Sequence, residues 1–477
     1  MRATLLGLLC VLACPACDGA GGPDADADAD IDPDAGDADR DAAPDARPDG
    51  EADAEADLFS FEVHVESCSG YLFEPGDAPV PAAAVAVDTP SGRTETQADD
   101  QGVARIAVEP DAEWVTVTVA KEGYLPLLTY YRMTVETIDA IIAANGDFVM
   151  CTTPIADIVQ PRYMTITVSA TGVPEGARWH ASIDGAGGQR AMLPDEVLSF
   201  PWVEEGSEPV TLLGALVERV PDPDRPEAMT ELVLQEIPDT LEDRSVVVEF
   251  DGVSETEPIT VRDVTLLLPE DEQSLFRTLG LIHSEELFAW ERETFLWCGF
   301  SLNYREAADR VTVDVAYLPL ADEDLLWSFR LWPATTDGSS PWSQGWLSAA
   351  PEPGAEIQVI DVPRLSSPVG EPATLGSTFS WQPVEGSEEE VLWISSRTRS
   401  LWAVLSFGQS TVELPDLPSG YDESADWPAE GSAGFFGVSV VRNPILLIPV
   451  AERNPVEPLY SDSFQGFGAS LPLTLER

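Results

Sequence analysis

Short runs in which apolar and polar residues alternate recur along this chain from Leu58 onward, and they restrict the folds that it can form. Residues 59–65 read Phe-Ser-Phe-Glu-Val-His-Val, the alternation of a strand with one buried face. Similar runs lie at residues 84–87, 104–108, 114–119, 163–168, 245–250, 311–315, 401–405 and 438–441. Clusters of Gly, Pro, Asp and Ser separate them, and helical periodicity is confined to residues 135–144 and 272–281. The sequence therefore predicts an all-β fold of tandem β-sandwich modules.

Residues 18–57 have a different composition, and we expect them to form a disordered tether. They are nearly all Asp, Ala, Pro, Gly and Glu, with 16 acidic residues against Arg40 and Arg47. Such a segment cannot bury enough apolar surface to offset the entropy of ordering it, and its like charges extend it. Its aspartates lack the Gly and Glu spacing of an EF-hand loop, so no calcium site is predicted.

The N-terminal segment indicates export and lipidation. Arg2 precedes an apolar run at residues 3–13, which is too short to span a bilayer. The end of this run, Val-Leu-Ala-Cys at residues 11–14, resembles the lipoprotein signal peptide, in which the cysteine after a small residue carries the lipid. The resemblance implies lipidation of Cys14, with Cys17 as the alternative because it also follows an alanine. We expect an exported protein anchored in the cell envelope, at the outer membrane or the cell surface.

The charge of the chain limits its partners. With 85 acidic and 25 basic residues, the formal net charge is −60. Nonspecific nucleic-acid binding requires Lys and Arg to displace counterions from phosphates, so no nucleic-acid partner is expected. The same negative charge repels anionic lipid headgroups, so docking onto an anionic lipid surface is not expected either. The predicted membrane contact is therefore the N-terminal lipid, whose acyl chains contribute about 0.8 kcal/mol per buried CH₂.

Three motifs at the start of the predicted β-rich body, the part of the chain after residue 57, form one recognisable pattern. Residues 79–87 read Pro-Val-Pro-Ala-Ala-Ala-Val-Ala-Val, residues 96–102 read Thr-Gln-Ala-Asp-Asp-Gln-Gly, and Gly123-Tyr124 follow a strand-like run. This pattern resembles the carboxypeptidase regulatory-like domain, a transthyretin-like β-sandwich. Ala83 stands where that family usually has Gly. The resemblance implies an accessory sandwich at residues 58–155 and no peptidase activity.

Three cysteines fall in the predicted body. Cys68 and Cys151 lie near the first and last strands of the first module. Thiols of exported proteins usually oxidise, so these two are the candidate disulfide. Such a bridge would stabilise the fold by roughly 2–5 kcal/mol. Cys298 lies in an apolar context and is predicted to be a buried thiol.

The rest of the chain divides into three further β-rich ranges. Residues 160–253 form a predicted sandwich module, and residues 254–363 a Trp-containing module. Residues 364–477 contain Phe-Ser-Trp-Gln-Pro-Val-Glu-Gly at 379–386, ahead of another apolar run. This last range resembles a fibronectin type III-like sandwich. With residues 1–16 as signal peptide and 17–57 as tether, these ranges predict tandem Ig-like or transthyretin-like modules after a disordered tether.

No catalytic constellation is apparent in the sequence. The histidines His64, His180 and His283 have no metal-site spacing. No Gly-x-Ser-x-Gly motif is present, and no Ser/His/Asp set can be assembled. Acidic pairs such as 285–286 and 322/324 could flank a glycosidic bond, but 85 acidic residues produce such pairs by chance. We therefore expect a noncatalytic protein with no cofactor and no metal.

Tryptophan is the residue class that points to a ligand. Ten of the 13 tryptophans lie at or after Trp290. Exposed indoles on a β-sandwich can stack on sugar rings, whereas buried ones serve packing. The candidate glycan-stacking residues fall within one short segment: Trp327, Trp332, Trp342 and Trp346.

These observations give one main hypothesis and two alternatives. The main hypothesis is a noncatalytic envelope lipoprotein that presents β-sandwich modules for adhesion, scaffolding or ligand binding, with a protein or a glycan as ligand. The first alternative is an array of carbohydrate-binding modules that uses the Trp-rich surface. The second is a cryptic hydrolase built on one of the acidic pairs.

Overall fold

The structure is a computed structural model that describes residues 58–67, 78–155, 163–183, 187–191, 193–204, 209–238, 243–252, 257–291, 296–320, 325–334, 341–347, 350–368, 373–396, 400–421, 426–428, 432–442, 464–468 and 471–475. Within these ranges the chain forms 32 strands and two helices. The predicted all-β fold class is therefore confirmed. The signal peptide and tether predicted at residues 1–57 lie outside the described residues.

The described part of residues 58–155 forms a sandwich with one helix, α1 (Val135–Asn145). Its strands are β1 (Phe59–Ser67), β2 (Ala78–Pro79), β3 (Ala84–Thr89), β4 (Gly92–Gln97), β5 (Val103–Val108), β6 (Val115–Ala120), β7 (Tyr124–Leu125), β8 (Leu127–Met133) and β9 (Phe148–Pro154). Sheet 1 has the order β2-β1-β9-β7, and β5 also pairs with β1. The facing strands, β8-β6-β3-β4, are one end of a larger sheet, sheet 2. Apolar side chains at alternate positions, such as Val63 and Val85, fill the core between them.

A tight turn at residues 99–102 connects β4 to β5. Gly102 N donates to Asp99 O at 2.9 Å, and the Asp99 carboxylate accepts the amides of Gln101 and Val103. These amide hydrogen bonds lower the pKa of Asp99 below its usual range. Gly102 has φ +75°, and a Cβ there would lie 2.6 Å from Val65 O. Only glycine fits this turn against β1.

The next range forms a second sandwich. Its strands are β10 (Tyr163–Thr171), β11 (Arg178–Ile183), β12 (Gly187–Ala191), β13 (Leu198–Glu204), β14 (Val210–Arg219), β15 (Glu227–Ile237) and β16 (Arg244–Glu249). Sheet 3 has the order β13-β10-β16 and sheet 4 the order β12-β11-β14-β15. Trp179, Phe200 and Leu212 are fully or almost fully buried between these sheets.

The third range contains the short helix α2 (Leu275–Leu279), which begins after the cap residue Ser274 and is shorter than the predicted 272–281. Its strands are β17 (Ile259–Leu267), β18 (Leu281–Glu291), β19 (Gly299–Ala307), β20 (Arg310–Tyr317), β21 (Leu325–Pro333), β22 (Trp342–Leu347) and β23 (Glu356–Gln358). Sheet 5 has the order β19-β20-β17-β23. The strands β18, β21 and β22 belong to sheet 2 instead.

The last range adds β24 (Leu365–Ser367), β25 (Ala373–Thr374), β26 (Thr378–Trp381), β27 (Glu389–Ser395), β28 (Ser400–Ser406), β29 (Thr411–Glu413), β30 (Ala433–Arg442), β31 (Phe464–Phe467) and β32 (Leu471–Thr474). Sheet 6 has the order β24-β26-β29. Phe379, Trp381 and Phe436 belong to the core on this side of sheet 2.

Sheet 2 connects three of the four predicted modules. Its path through the described strands is β18-β21-β22-β31-β30-β27-β28-β8-β6-β3-β4, with β32 on β30 and β25 on β32. The parallel pairing of β8 with β28 joins the first module to the last. The pairing of β22 with β31 joins the third to the last. The ranges 58–155, 254–363 and 364–477 are thus not separate sheets, because strands that would otherwise be exposed edges pair with each other.

The hydrophobic cores also cross the predicted module boundaries. Leu213 of β14 shares one core with Val264 of β17 and Trp327 of β21. Neither described helix is long and apolar enough to cross a membrane.

Candidate functional site

The Trp-rich segment forms a row of stacked side chains on one face of sheet 2. Strands β21 and β22 place Arg330 directly opposite Gln344. Arg330 donates from Nε and from a terminal nitrogen to Gln344 Oε1, at 3.1 and 2.7 Å. Its guanidinium carbon lies 5.3 Å from the ring centroid of Trp342 and 5.7 Å from that of Trp332. Both indoles therefore make cation–π contacts with the same arginine.

On its other side, Trp342 stacks against a phenylalanine. The centroids of Trp342 and Phe467 are 5.6 Å apart, with an angle of 15° between the rings. Because β22 lies between β21 and β31, Arg330 and Phe467 flank Trp342 from opposite sides. Trp342 is 5% exposed as a result. We call Trp332, Arg330, Trp342 and Phe467 the aromatic row.

The structure separates the four candidate glycan-stacking tryptophans. Trp327 is fully buried in the core, with its ring edge-on to Tyr317 at 4.8 Å. An enclosed ring has no face for a sugar, so the prediction is corrected for Trp327. It is corrected for Trp342 as well, because neighbours cover both of its faces. Trp332 is half-buried, and the side chain of Trp346 lies outside the described residues.

The β8–β28 junction joins the first module to the last through backbone and side chains. Residues Leu127–Tyr131 pair in parallel with Trp402–Ser406. The indole nitrogen of Trp402 donates to Thr129 Oγ1 at 3.0 Å, and both residues are fully buried. Asp426 accepts the Gly123 amide with both carboxylate oxygens, at 3.1 and 3.0 Å. The Gly-Tyr motif at residues 123–124 is thus held by the last module.

Two neighbouring carboxylates are buried where β27 begins. Glu389 and Glu390 are 2% and 3% exposed. Burial, and then the charge of Glu390, raise the pKa of Glu389 to about 8. Glu390 accepts hydrogen bonds from Ser387 and Gly408, yet its burial still raises its pKa. Since consecutive strand residues point to opposite faces, this pair cannot flank one glycosidic bond.

Sequence reasoning did not identify Glu389 and Glu390 as buried groups. Residues 388–390 read Glu-Glu-Glu, a pattern typical of a solvated loop. The following residues, Val391 and Leu392, pack into two different cores. That continuous apolar run is the one signal that could have indicated a strand buried on both faces.

A cluster around Asp314 holds sheet 4 against sheet 5. Asp314 is 1% exposed and accepts from Arg225 Nε at 3.2 Å, Asn303 Nδ2 at 3.0 Å and the Asp263 amide at 3.1 Å. Asn303 also exchanges two hydrogen bonds with the backbone of Glu227. We call these residues the Asp314 cluster. The Pro-rich loop at residues 221–226 therefore supplies the arginine of this contact.

Backbone irregularities make the Asp314 cluster possible. Asp263 and Asn303 have φ of +58° and +50°, in the left-handed region that Asp and Asn tolerate better than most residues. The register shifts between Val261 and Val264 in β17, and again at the bulge in β19 that contains Asn303. These bulges turn the polar groups toward Asp314 instead of solvent.

The three histidines are in different environments. His64 is half-buried, with Nε2 3.8 Å from Glu62 and 3.5 Å from Asp147. His180 is buried on β11. His283 lies on β18, and its side chain is outside the described residues. Among the described residues, no group of three or more His, Cys, Asp and Glu side chains could hold a metal ion.

The cysteine predictions are only partly within the described residues. Cys14, Cys17 and Cys68 lie outside them. Cys151 is disulfide-bonded, and its register partner on β1 is Glu66. The predicted bridge to Cys68 stays a prediction. Cys298 is buried in the core and carries no disulfide.

Gly188 lies near the start of β12. A Cβ at Gly188 would lie 2.1 Å from the indole of Trp297. This glycine therefore allows close packing of sheet 4 against the chain before β19. The other acidic pairs, at residues 285–286 and 322/324, have side chains outside the described residues.

Comparison with known proteins gives no family. No known protein family matches the chain, and no curated protein matches it. Among solved structures, the Bacillus anthracis TIE protein is similar at 8% identity and a TM-score of 0.14, over 63% of this chain and 50% of that one. The chain thus spans half the length of that structure. A Ca²⁺-stabilized adhesin that helps an Antarctic bacterium reach out and bind ice is similar at 7% identity and a TM-score of 0.15, over 83% of this chain and 91% of that one. TM-scores of this size support no statement about what this chain does.

Proposed function

We propose that this chain is a noncatalytic lipoprotein of the bacterial cell envelope that presents a β-sandwich body for adhesion, scaffolding or ligand binding. Lipid at Cys14, or at Cys17, is the proposed anchor, and residues 18–57 are the proposed spacer. The single observation that carries the proposal is the β8–β28 junction. It makes the sandwich that follows the spacer continuous with the last module.

This continuity favours a scaffold over a flexible chain of modules. Modules joined by linkers move independently unless the interface between them is large and apolar. Here backbone hydrogen bonds and a shared core, which includes Tyr130 and Leu405, join the two modules. Such a body holds its surfaces in a fixed arrangement, which suits presentation to a partner.

The anchor can be tested by metabolic labelling with radioactive palmitate. We expect label in the wild-type chain, loss of label in Cys14→Ser, and retention in Cys17→Ser. The opposite pattern assigns the lipid to Cys17 and leaves the proposal intact. Absence of label from the wild-type chain contradicts the lipoprotein assignment.

The noncatalytic assignment can be tested with the purified body, residues 58–477. We expect no turnover of ester, peptide or glycoside substrates. A glycosidase activity that is lost in Glu285→Gln or in Asp322→Asn contradicts the proposal and favours the hydrolase hypothesis instead.

One observation supports a second candidate function, glycan binding. Trp332 is half-buried at the end of the aromatic row, beside the cation of Arg330. An accessible indole edge next to hydrogen-bond donors suits contact with a sugar. On a glycan array, we expect binding that is lost in Trp332→Ala while the fold is retained. An array without binding by the wild-type body excludes this candidate.

A further inference from the structure

His180 lies where sheet 4 packs against the chain that leads into sheet 5. Its neighbours Trp179 and Ala181 point into the core between sheets 3 and 4, so His180 points the other way. The imidazole centroid is 4.5 Å from that of Phe300 on β19. Two residues along the strand, Ser182 Oγ donates to Trp297 O at 2.9 Å. His180 is therefore part of the contact between the second and third predicted modules.

The surroundings of His180 oppose its protonation. The residue is 2% exposed, and among the described residues Nε2 has no hydrogen-bond partner. Arg190 lies directly opposite on β12, and Arg178 lies two residues earlier on the same face of β11. Burial first, and then the charges of Arg190 and Arg178, lower the pKa of His180 well below its usual value.

In the part of the chain that the structure describes, desolvation and two positive charges, those of Arg190 and Arg178, determine the pKa shift at His180. Its partner on β14 is Ala215, and β19 contributes the aromatic ring of Phe300. The carboxylate of Glu227 on β15 forms an ion pair with Arg178. A proton on His180 would thus add a third cation beside two arginines, in a contact that is closed to water.

We propose that His180 is an acid-sensitive latch between sheets 4 and 5. The neutral imidazole packs on Phe300 and lets the two sheets close. The imidazolium favours their separation, because it regains water and moves away from Arg178 and Arg190. Separation uncovers Phe300 and Trp297, so the molecule has a second, acid-populated surface.

The direction of the pH dependence follows from linkage. The unfolded or opened chain binds a proton at His180 near pH 6.5, whereas the closed state does not. Above that pH both states are neutral, and the contact has its full stability. As the pH falls below about 6.5, the opened state gains protons first and the contact weakens.

Hydrogen/deuterium exchange of the whole body between pH 8 and pH 4.5 tests the latch. After correction for the intrinsic pH dependence of exchange, we expect peptides covering β11 and residues 296–302 to lose protection by about tenfold or more at the acid end. Peptides of β1 and β9 are expected to keep theirs. His180→Gln is expected to remove the acid-dependent loss, whereas the matched control His64→Gln is expected to retain it.

A second variant separates a latch from a purely structural role. Arg190→Gln removes a neighbouring cation, so the closed contact tolerates a proton on His180 better and the opening midpoint is expected to move to lower pH. Arg190→Lys is expected to leave the midpoint in place. The proposal is overturned if wild type keeps its protection to pH 4.5, if His180→Gln opens like wild type, or if Arg190→Gln leaves the midpoint unchanged or raises it.

Discussion

The molecule contains two internal junctions that are built from different interactions. The β8–β28 junction consists of backbone pairing and apolar cores. The junction between sheets 4 and 5 adds to its shared core a set of charged and polar side chains, the Asp314 cluster and His180. Backbone pairing depends little on pH, whereas side-chain ion pairs and a buried imidazole depend on it directly. The comparison indicates a permanent junction and an adjustable one.

The largest expected effect is at the permanent junction. Trp402→Ala removes a fully buried indole and its hydrogen bond to Thr129, and we expect a loss of about 3–5 kcal/mol in the free energy of unfolding. Urea denaturation provides the measurement. Trp332→Ala, at a half-buried indole, is the matched control and should cost far less. If the two variants lose the same free energy of unfolding, the junction contributes no more to stability than a half-buried surface site.

The next effect is a pH dependence at Glu389 on β27, the strand that pairs with β28. The pKa of Glu389 is about 8 in the folded chain, above its usual value of 4.5, so the folded state retains a proton that the unfolded state releases. Stability is therefore full below pH 4.5 and falls as the pH rises toward 8.

Glu389→Gln should remove this loss, which is about 3 kcal/mol or more by pH 8. The measurement is the slope of unfolding free energy against pH from 4.5 to 8, with exposed Glu388→Gln as the control. If Glu389→Gln has the same slope as the wild type, other titratable groups cause the pH dependence of stability. If the slope is removed, the burial of Glu389 on β27 accounts for a loss of stability in alkali, whereas the junction between sheets 4 and 5 is expected to weaken in acid.

A smaller effect is expected at the Asp314 cluster. Asp314→Ala leaves the Asp263 amide and the Asn303 side chain without their acceptor, at a cost of about 1–3 kcal/mol. Asp314→Asn retains an acceptor and should lose less. Hydrogen/deuterium exchange is the measurement. Faster exchange in β15 and β17 of the variant than in the wild type would place the loss of stability at this junction. An equal loss of exchange protection in all sheets would contradict the idea that the Asp314 cluster stabilises this junction in particular.

The smallest effect is expected outside both junctions. Arg105 pairs with Glu62 at 2.9 Å, but its side chain is 75% exposed. Arg105→Gln should change thermal stability within error, because exposed ion pairs contribute little. A large destabilisation would remove the distinction between junction and surface contacts.

Nine strand-like runs were predicted from the sequence among strands that number 32 in the described residues, and the partners of those strands were not predicted. Alternation identified β1, β5, β6 and β20 because each has one apolar face. The run Leu127–Met133 reads as a strand buried on both faces, yet nothing local indicates that its neighbour lies near Trp402. Pairing across such a distance depends on which edges are left open after each sandwich forms.

The sites were less predictable than the strands. Asp314 occupies a polar position in an alternating run, which predicts a solvent-facing side chain. It is buried because two bulges and the arginine of a distant loop cover it. Trp342 lies near Gly and Ser, a setting that suggested exposure, but Arg330 and Phe467 enclose it. These contacts involve residues far apart in the chain.

The distance between β8 and β28 has a consequence for biogenesis. Trp402 follows its hydrogen-bond partner Thr129 by 273 residues. At a synthesis rate of about 5–20 residues per second, β8 waits roughly 15–50 s for its partner strand. During that interval the first sandwich carries an open edge, the kind of surface on which nascent chains aggregate. The growing chain therefore depends on a chaperone, or on low local concentration, until β28 has been synthesised.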